Sequence, residues 1–390
     1  MRLGIRRIFQ KIKWNIFGAI FRKCKIQNNK IVVDNFLGRG YGDNPKYIID
    51  EIISTKSGHT IVWVVDKCTD TSLFPKKIRL VKTNSIRFIY EYATAKIWID
   101  NVKNNYKGRK RDGQFYLQTW HGGIGFKKVE REAVETLNPD YVKASIYDSK
   151  QIDLMISNSK WVTNNYRENF WYSGKILETG LPRNDVFFKD IEGSRQRVEN
   201  YFNTKKRIIL YAPTFREYLT IEKQIALFSM DYNKLTEVVR NKFGSEYVVI
   251  IRVHPNIASY FEIQENEYIK NGSQYPDMQE LLVATDILVT DFSSSMFDFM
   301  LKSSRIFLFA PDYEEYVTKD REMKFNVRKD LPFSFSNSEK ELLDSIANFD
   351  ENNIDMKVNE FKKELGICDD GHSSERVAKL LNDIILKGSR

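Results

Sequence analysis

Short apolar runs recur along the chain at Ile31–Val33, Thr60–Val65, Ile97–Ile99, Leu154–Ser157, Ile208–Ala212, Tyr247–Val253, Ile287–Val289 and Ile306–Phe309. Longer stretches with helical spacing of apolar positions separate them. Strand-length runs alternating with helices are the rhythm of βαβ units, so the pattern predicts an α/β fold with parallel sheets. Turn residues cluster at Gly180-Leu181-Pro182-Arg183-Asn184-Asp185, and a charged segment from Lys189 to Lys206 follows. We place a domain boundary there, giving Rossmann-like domains over 28–188 and 189–390 behind an N-terminal segment of residues 1–27.

Four of the runs empty into loops with chemistry in them, and ligands of open α/β sheets bind beyond the carboxyl ends of the strands. Phe115-Tyr116-Leu117 leads into Gln118-Thr119-Trp120-His121-Gly122-Gly123-Ile124-Gly125, where an imidazole is followed by glycines. Gly122 and Gly123 are read as loop support, supplying φ values closed to other residues and close backbone approach. His121 is thereby placed for proton transfer. The second loop, Pro213-Thr214-Phe215-Arg216, offers a hydroxyl and a guanidinium, and the third, Arg252-Val253-His254-Pro255, a second imidazole beside an arginine. The fourth, Thr290-Asp291-Phe292-Ser293-Ser294, opens a helix that carries Asp298. Ser293 or Ser294 suits its N-cap, and the start of such a helix suits phosphate; capping alone explains the serines equally well. Asp298, one turn in, is read as orienting a partner or as a helix-surface carboxylate.

These residues are similar to those of the CDP-glycerol glycerophosphotransferases of teichoic acid and capsule synthesis. The matching elements are Thr119-Trp120-His121-Gly122, the 180–185 turn, Tyr211-Ala212-Pro213-Thr214-Phe215-Arg216, Arg252-Val253-His254-Pro255, Thr290–Ser294 with Asp298, and Asp370-Gly371-His372-Ser373-Ser374-Glu375-Arg376. Asp34-Asn35-Phe36 to Gly42-Asp43-Asn44-Pro45 resembles the family's first strand and loop. Gly123-Ile124-Gly125 stands where Thr-Pro-Leu is common, and Asp330-Leu331-Pro332-Phe333 where many members have Pro-Gly-Pro. The resemblance implies a GT-B arrangement, two Rossmann-like domains facing a cleft, with the donor nucleotide held by the C-terminal half and the last helix, about Ser373–Lys387, packing back on the N-terminal half. It implies transfer of glycerol phosphate from CDP-glycerol to a hydroxyl of a polyprenol-diphosphate-linked saccharide, with release of CMP. His121 is then the general base, and His254, Arg252 and Arg216 hold the diphosphate. Thr214, Ser293, Ser294 and Asp298 belong to the donor site, with Asp291 supporting the loop; Ser374 and Arg376 complete it by family carry-over. A nucleotide-sugar glycosyltransferase and a CDP-ribitol-dependent transferase share these features, and a scaffold without turnover shares the fold.

Composition narrows the classes. The chain has 390 residues, 42% hydrophobic and 29% charged, enough for two cores. Three scattered cysteines, Cys24, Cys68 and Cys368, lack disulfide or zinc spacing. No carboxylate cluster marks a metal site, so no cofactor is obligatory, Mg²⁺ on the donor diphosphate being compatible. Gly38-Arg39-Gly40-Tyr41-Gly42 breaks the dinucleotide-binding spacing. The net charge is +9 and uneven. Residues 1–30 carry Lys and Arg without any acidic residue, interleaved with Ile, Phe and Trp. This basic amphipathic segment fits an anionic inner-leaflet surface, hence a peripheral protein at the cytoplasmic face of the membrane, or else a first helix packed on the domain. The run Lys107–Arg111 reads as a solvated loop with no nucleic-acid motif beside it.

Overall fold

In this computed structural model, which describes residues 13–319 and 322–387, the chain forms two compact units. The first comprises the described residues up to His121, Val129–Asp185 and those from Cys368 onward; the second comprises Gly122–Lys128 and Val186–Ile367. Neither is continuous in sequence.

The first unit holds a parallel sheet of seven strands: β1 (Gln27–Val33), β2 (Thr60–Val65), β3 (Arg79–Lys82), β4 (Ala95–Asp100), β5 (Phe115–Gln118), β6 (Leu154–Ser157) and β7 (Lys175–Glu178). Their order is β3-β2-β1-β4-β5-β6-β7. Both faces are covered, so the central strands can be apolar throughout. The terminal helix Ser373–Lys387 places Val377, Ala378, Leu381 and Ile385 in this unit's core with Ile48, Ile49 and Ile52 of helix Asp43–Ser54. Its start is fixed by Asp185, whose carboxylate accepts Ser373 N–H (3.0 Å) and Ser374 N–H (2.7 Å).

The second unit repeats the plan with β8 (Arg207–Ala212), β9 (Tyr247–Ile251), β10 (Ile269–Asn271), β11 (Ile287–Thr290), β12 (Ile306–Phe309) and β13 (Ser334–Ser336), in the order β10-β9-β8-β11-β12-β13. Each sheet thus grows outward from its first strand and reverses beside its fourth, the doubly wound pattern that opens a crevice at the reversal. The strands absent from the sequence reading, β3, β7, β10 and β13, lie at or next to sheet edges. There one face meets solvent and the apolar run is lost. Gly122–Lys128 is seated on this second unit: Lys127 bridges Met323, Lys128 N–H donates to Glu322 C=O (3.0 Å), and Phe126 lies among Phe292, Phe297 and Phe325.

Residues 1–12 of the basic amphipathic segment lie outside the described residues. Its remainder makes short helical turns at Trp14–Gly18 and Ala19–Phe21, docked by the Trp14 ring on Phe88 and the Phe21 ring on Tyr90. Ile16 and Ile20 are each 53% exposed on the other side. The Lys107–Arg111 run departs from its reading as a solvated loop. Lys107 is buried, its ammonium paired with Asp100 (2.6 Å) and Asp148 (3.0 Å).

Candidate active site

In the first unit, β4 and β5 run side by side and end together. Thr119 N–H donates to Asp100 C=O (2.9 Å), which brings the turn after Asp100 beside the turn after Gln118. Trp120 there has φ +53°, a left-handed conformation uncommon for a bulky residue and a mark of strain held by its surroundings. Gly122, Gly123 and Gly125, expected to supply such angles, all have φ outside the positive range; the unusual angle falls on Trp120 instead.

His121 follows. Its Nδ1 lies 2.7 Å from Asn101 C=O. A carbonyl only accepts, so Nδ1 carries the hydrogen and Nε2 of the neutral ring is left with its lone pair, the tautomer a general base requires. Burial pushes the imidazole pKa below its ordinary value, opposed by the Asn101 bond and the Asp43 carboxylate and assisted by the Arg183 guanidinium. The ring packs on Trp120 (centroids 4.3 Å) and Phe36 (5.3 Å).

Three residues outside the sequence-derived site set hold this turn. Asn101 donates through Nδ2 to Asn35 Oδ1 (2.7 Å) and Asp43 Oδ2 (3.2 Å) and accepts Phe36 N–H (2.9 Å). Arg183 Nη1 donates to His121 C=O (2.7 Å) and to Asp43 Oδ1 (3.2 Å). Asp43 lies in Gly42-Asp43-Asn44-Pro45 and Arg183 in the 180–185 turn, and those motifs are the signal that could have found them. Asn101 acts on the ring through a backbone oxygen, which leaves no mark in a sequence.

In the second unit the ends of β9, β8 and β11, neighbours at the reversal of strand order, open on one cleft of ≈ 400 Å³. Lys127, Thr214, Phe215, Glu217, Arg252, His254, Met278 and Ser293 are among its lining residues. Asp291 shapes it by accepting Thr214 N–H at 2.9 and 3.0 Å and Phe292 N–H at 2.6 Å. The Thr214 hydroxyl is buried and has no hydrogen-bond partner. Arg252 Nη1 is anchored on Gly272 C=O (2.9 Å) and Tyr275 C=O (2.6 Å). His254 caps the turn Pro255–Ala258: its Nδ1 accepts Asn256 N–H (3.2 Å), and Phe215 packs on the ring (5.1 Å). In the neutral ring, therefore, Nε2 bears the hydrogen. The Ser293 hydroxyl pairs with that of Ser295 (2.8 Å) and receives Ser295 N–H (3.3 Å). Ser294 occupies the cap position of helix Ser295–Phe299 without a side-chain bond, and it does not line the cleft.

Other sequence-derived residues fall elsewhere. Arg216 is 1% exposed, clamped by Asp291 (2.8 Å) and by Asp312 (2.7 and 2.9 Å), with its guanidinium against the stacked pair of Phe292 and Tyr316 rings. Its charge is spent on those carboxylates, so it holds the Thr214 loop where the sequence reading had it gripping a diphosphate. Asp298 is a buried carboxylate accepting Gln279 Nε2 (3.0 Å), not a helix-surface group. Ser374 and Arg376 belong to the first unit. Ser374 Oγ donates to Pro182 C=O (3.3 Å), and Arg376 binds Thr179 C=O (3.0 and 3.2 Å) and the Asp370 carboxylate. The structure thus groups both with the 180–185 turn and not with the loops of the cleft. Among the described residues no group of His, Cys, Asp and Glu is arranged to hold a metal ion.

Two parallel, doubly wound units with polar loops at their strand ends define a transferase architecture of the GT-B type. The chain belongs to the CDP-glycerol:poly(glycerophosphate) glycerophosphotransferase family, whose model matches residues 16–383, and the motif resemblance is thereby borne out. It is 28% identical over 387 residues to the teichoic acid glycerol-phosphate transferase of Staphylococcus aureus, covering 95% of this chain and 97% of that one. It is 27% identical over 381 residues to the teichoic acid poly(glycerol phosphate) polymerase of Staphylococcus epidermidis, covering 94% of this chain. The chain spans about half the length of that polymerase, at 52%, and of the Bacillus subtilis one, at 49%. The structure of a variant of the wall teichoic acid polymerase TagF matches with a TM-score of 0.85 and 26% identity over 99% of this chain and 97% of that one. A TagF variant soaked with CDPG matches at 0.82 and 26% identity over 100% and 98%.

Proposed function

We propose that the protein transfers glycerol phosphate from CDP-glycerol to a hydroxyl of a polyprenol-diphosphate-linked saccharide, or to the end of a growing polyol-phosphate chain, and releases CMP. In this reading the acceptor oxygen attacks the glycerol-bearing phosphorus in line. The bond from that phosphorus to the bridging oxygen breaks and the oxygen leaves with CMP. The acceptor proton passes to Nε2 of His121. The diphosphate sits in the second unit's cleft, where Lys127, Arg252, Ser293 and the Nε2–H of His254 face growing charge on the leaving phosphate. Positioning and charge stabilisation supply most of such a catalysis. No protein-bound cofactor is assigned; any Mg²⁺ arrives with the donor, and a chelator series tests this.

The observation that carries the reading is the His121–Asn101 hydrogen bond, which leaves a neutral ring with an acceptor nitrogen in a chain of this family. The partnerless Thr214 hydroxyl and the cationic lining of the cleft support the donor assignment. The decisive assay offers CDP-glycerol, CDP-ribitol and UDP- or CMP-sugars with a lipid-linked acceptor. CMP release with CDP-glycerol alone is expected; preferential turnover of a nucleotide sugar overturns the reading.

For the location, we infer a peripheral protein on the anionic cytoplasmic leaflet. Among the described residues no helix is long and apolar enough to cross a membrane. Ile16 and Ile20 stand exposed amid Lys13, Arg22, Lys23 and Lys25, apolar anchors within a basic rim.

A further inference from the structure

The transfer needs His121 in one tautomer and one orientation, and the Nδ1 bond to Asn101 C=O sets the tautomer directly. Beside the residues already named, the turn bearing the ring is held by the side chain of Gln118, the last residue of β5, which is fully buried. Its Oε1 accepts Trp120 N–H (2.9 Å), securing the residue whose left-handed angle aims His121. Its Nε2 donates to Val102 C=O (3.2 Å), one residue beyond the Asn101 carbonyl that receives the imidazole hydrogen. One amide therefore staples together the turn that carries the base and the turn that carries its hydrogen-bond acceptor.

The staple has its own foundation. Gln118 Nε2 also donates to the Tyr116 hydroxyl (2.9 Å), which donates to Asp148 Oδ2 (2.9 Å) and accepts from Lys107. Lys107 pairs with Asp100 Oδ2 (2.6 Å), and Asp100 Oδ1 accepts Val102 N–H (3.0 Å), fixing the Asn101 turn from the other side. Burying Lys107 with Asp100 and Asp148 is costly in desolvation, and well-packed apolar residues of similar volume often serve a core as well or better. Such a network makes sense where a unique geometry is required above it, as outer partners do for functional groups elsewhere.

We propose that Gln118 is a positioning residue for the base, fixing the tautomer and aim of His121 through the Trp120 and Asn101 turns. The inference rests on His121 being the base of the proposed transfer.

Gln118→Met keeps the volume and removes all three hydrogen bonds. The expected result is a fall in kcat of about 10- to 100-fold with an unchanged KM for CDP-glycerol. The long-range ¹H–¹⁵N spectrum of the imidazoles, with His121→Ala identifying the His121 signals, should pass from a single Nδ1–H tautomer to a mixture. Tyr116→Phe removes only the hydroxyl beneath the staple and should show the same changes in smaller measure; it decides the matter if Gln118→Met does not fold. A Gln118 variant of lowered Tm that keeps parental kcat per folded molecule and a single tautomer overturns the proposal, since the residue is then merely structural. His121→Ala in the same assay separates the two claims. An active His121→Ala sinks the base reading, whereas an inactive one beside an unaltered Gln118→Met sinks this inference alone.

Discussion

His121 and His254 both follow parallel strands, both pack on aromatic rings, and both use Nδ1 in a hydrogen bond to backbone, but the partners are opposite in kind. A carbonyl oxygen faces Nδ1 of His121, and an amide N–H faces Nδ1 of His254. In the neutral ring the first contact leaves Nε2 with a lone pair, and the second leaves Nε2 with the hydrogen. Two identical side chains are thus given complementary chemistry by a single backbone atom each. In the proposed transfer it is the strand-end turn, not the residue type, that suits one histidine to an acceptor hydroxyl and the other to a phosphate oxygen.

The sharpest way to break this comparison is to remove the rings in turn. His121→Ala should lower CMP release by about 10²- to 10⁴-fold, the usual range for a positioned proton acceptor, while calorimetric titration with CDP stays as in the parent. A loss of CDP affinity instead would move His121 to the binding side. Arg216→Met should destabilise the second unit by about 3–5 kcal/mol, because Asp291 and Asp312 are left buried without their cation; chemical denaturation measures it. Unchanged stability would free Arg216 for the donor after all. Arg252→Ala and His254→Ala should each weaken CDP-glycerol binding by about 1.5–3 kcal/mol, with little effect on a reaction saturated with donor beyond lost charge stabilisation. Parental dissociation constants in both place the donor elsewhere.

Acidity sharpens the comparison further. The folded state holds His121 below 6.5, so the proton acceptor persists to lower pH than a free imidazole would, and the acid limb of kcat/KM should have its midpoint under 6.5. The sign for stability follows. With the folded pKa depressed, the contribution from this ring is complete above 6.5 and is lost as pH falls through the folded value. An acid limb at or above 6.5 that vanishes in His121→Ala contradicts the burial argument. The smallest effect expected is at the N-terminal turns. Ile16→Ser with Ile20→Ser should weaken sedimentation with anionic vesicles by about tenfold while leaving turnover of a soluble acceptor analogue intact. Equal sedimentation of parent and variant would assign membrane contact to another surface.

Much of the fold was legible because the central strands of both sheets are apolar on both faces: Ile208–Ala212 and Ile287–Thr290 are buried along their lengths and read as strands unaided. Edge strands gave no such pattern; β7 shows only half-buried residues inside exposed ends. Thr214, Arg252, His254 and Ser293 could be brought to one cleft from the sequence because strand ends locate them. The ion pairing of Arg216 was not legible because its partner Asp312 lies 96 residues onward, a pairing no local pattern reveals. Ser374 and Arg376 were read from a motif, and the contacts that occupy them, to Pro182 and Thr179, exist only once the chain has folded. Asn101, Gln118 and Lys107 escaped for the related reason that backbone oxygens and buried pairs act through geometry.

The division of the chain also sets a timetable for its synthesis. The first unit's core is sealed by Val377, Ala378, Leu381 and Ile385. A ribosome must therefore release the chain through Ile385 before that core can close. The second unit needs only Gly122–Lys128 and the residues to Ile367, so it can be complete while the first still waits. During that interval the apolar face of Ile48, Ile49 and Ile52 lacks its final cover. Chains truncated just before Ser373 should for this reason be targets for chaperones and proteases even though every loop of the second unit's cleft is already in place.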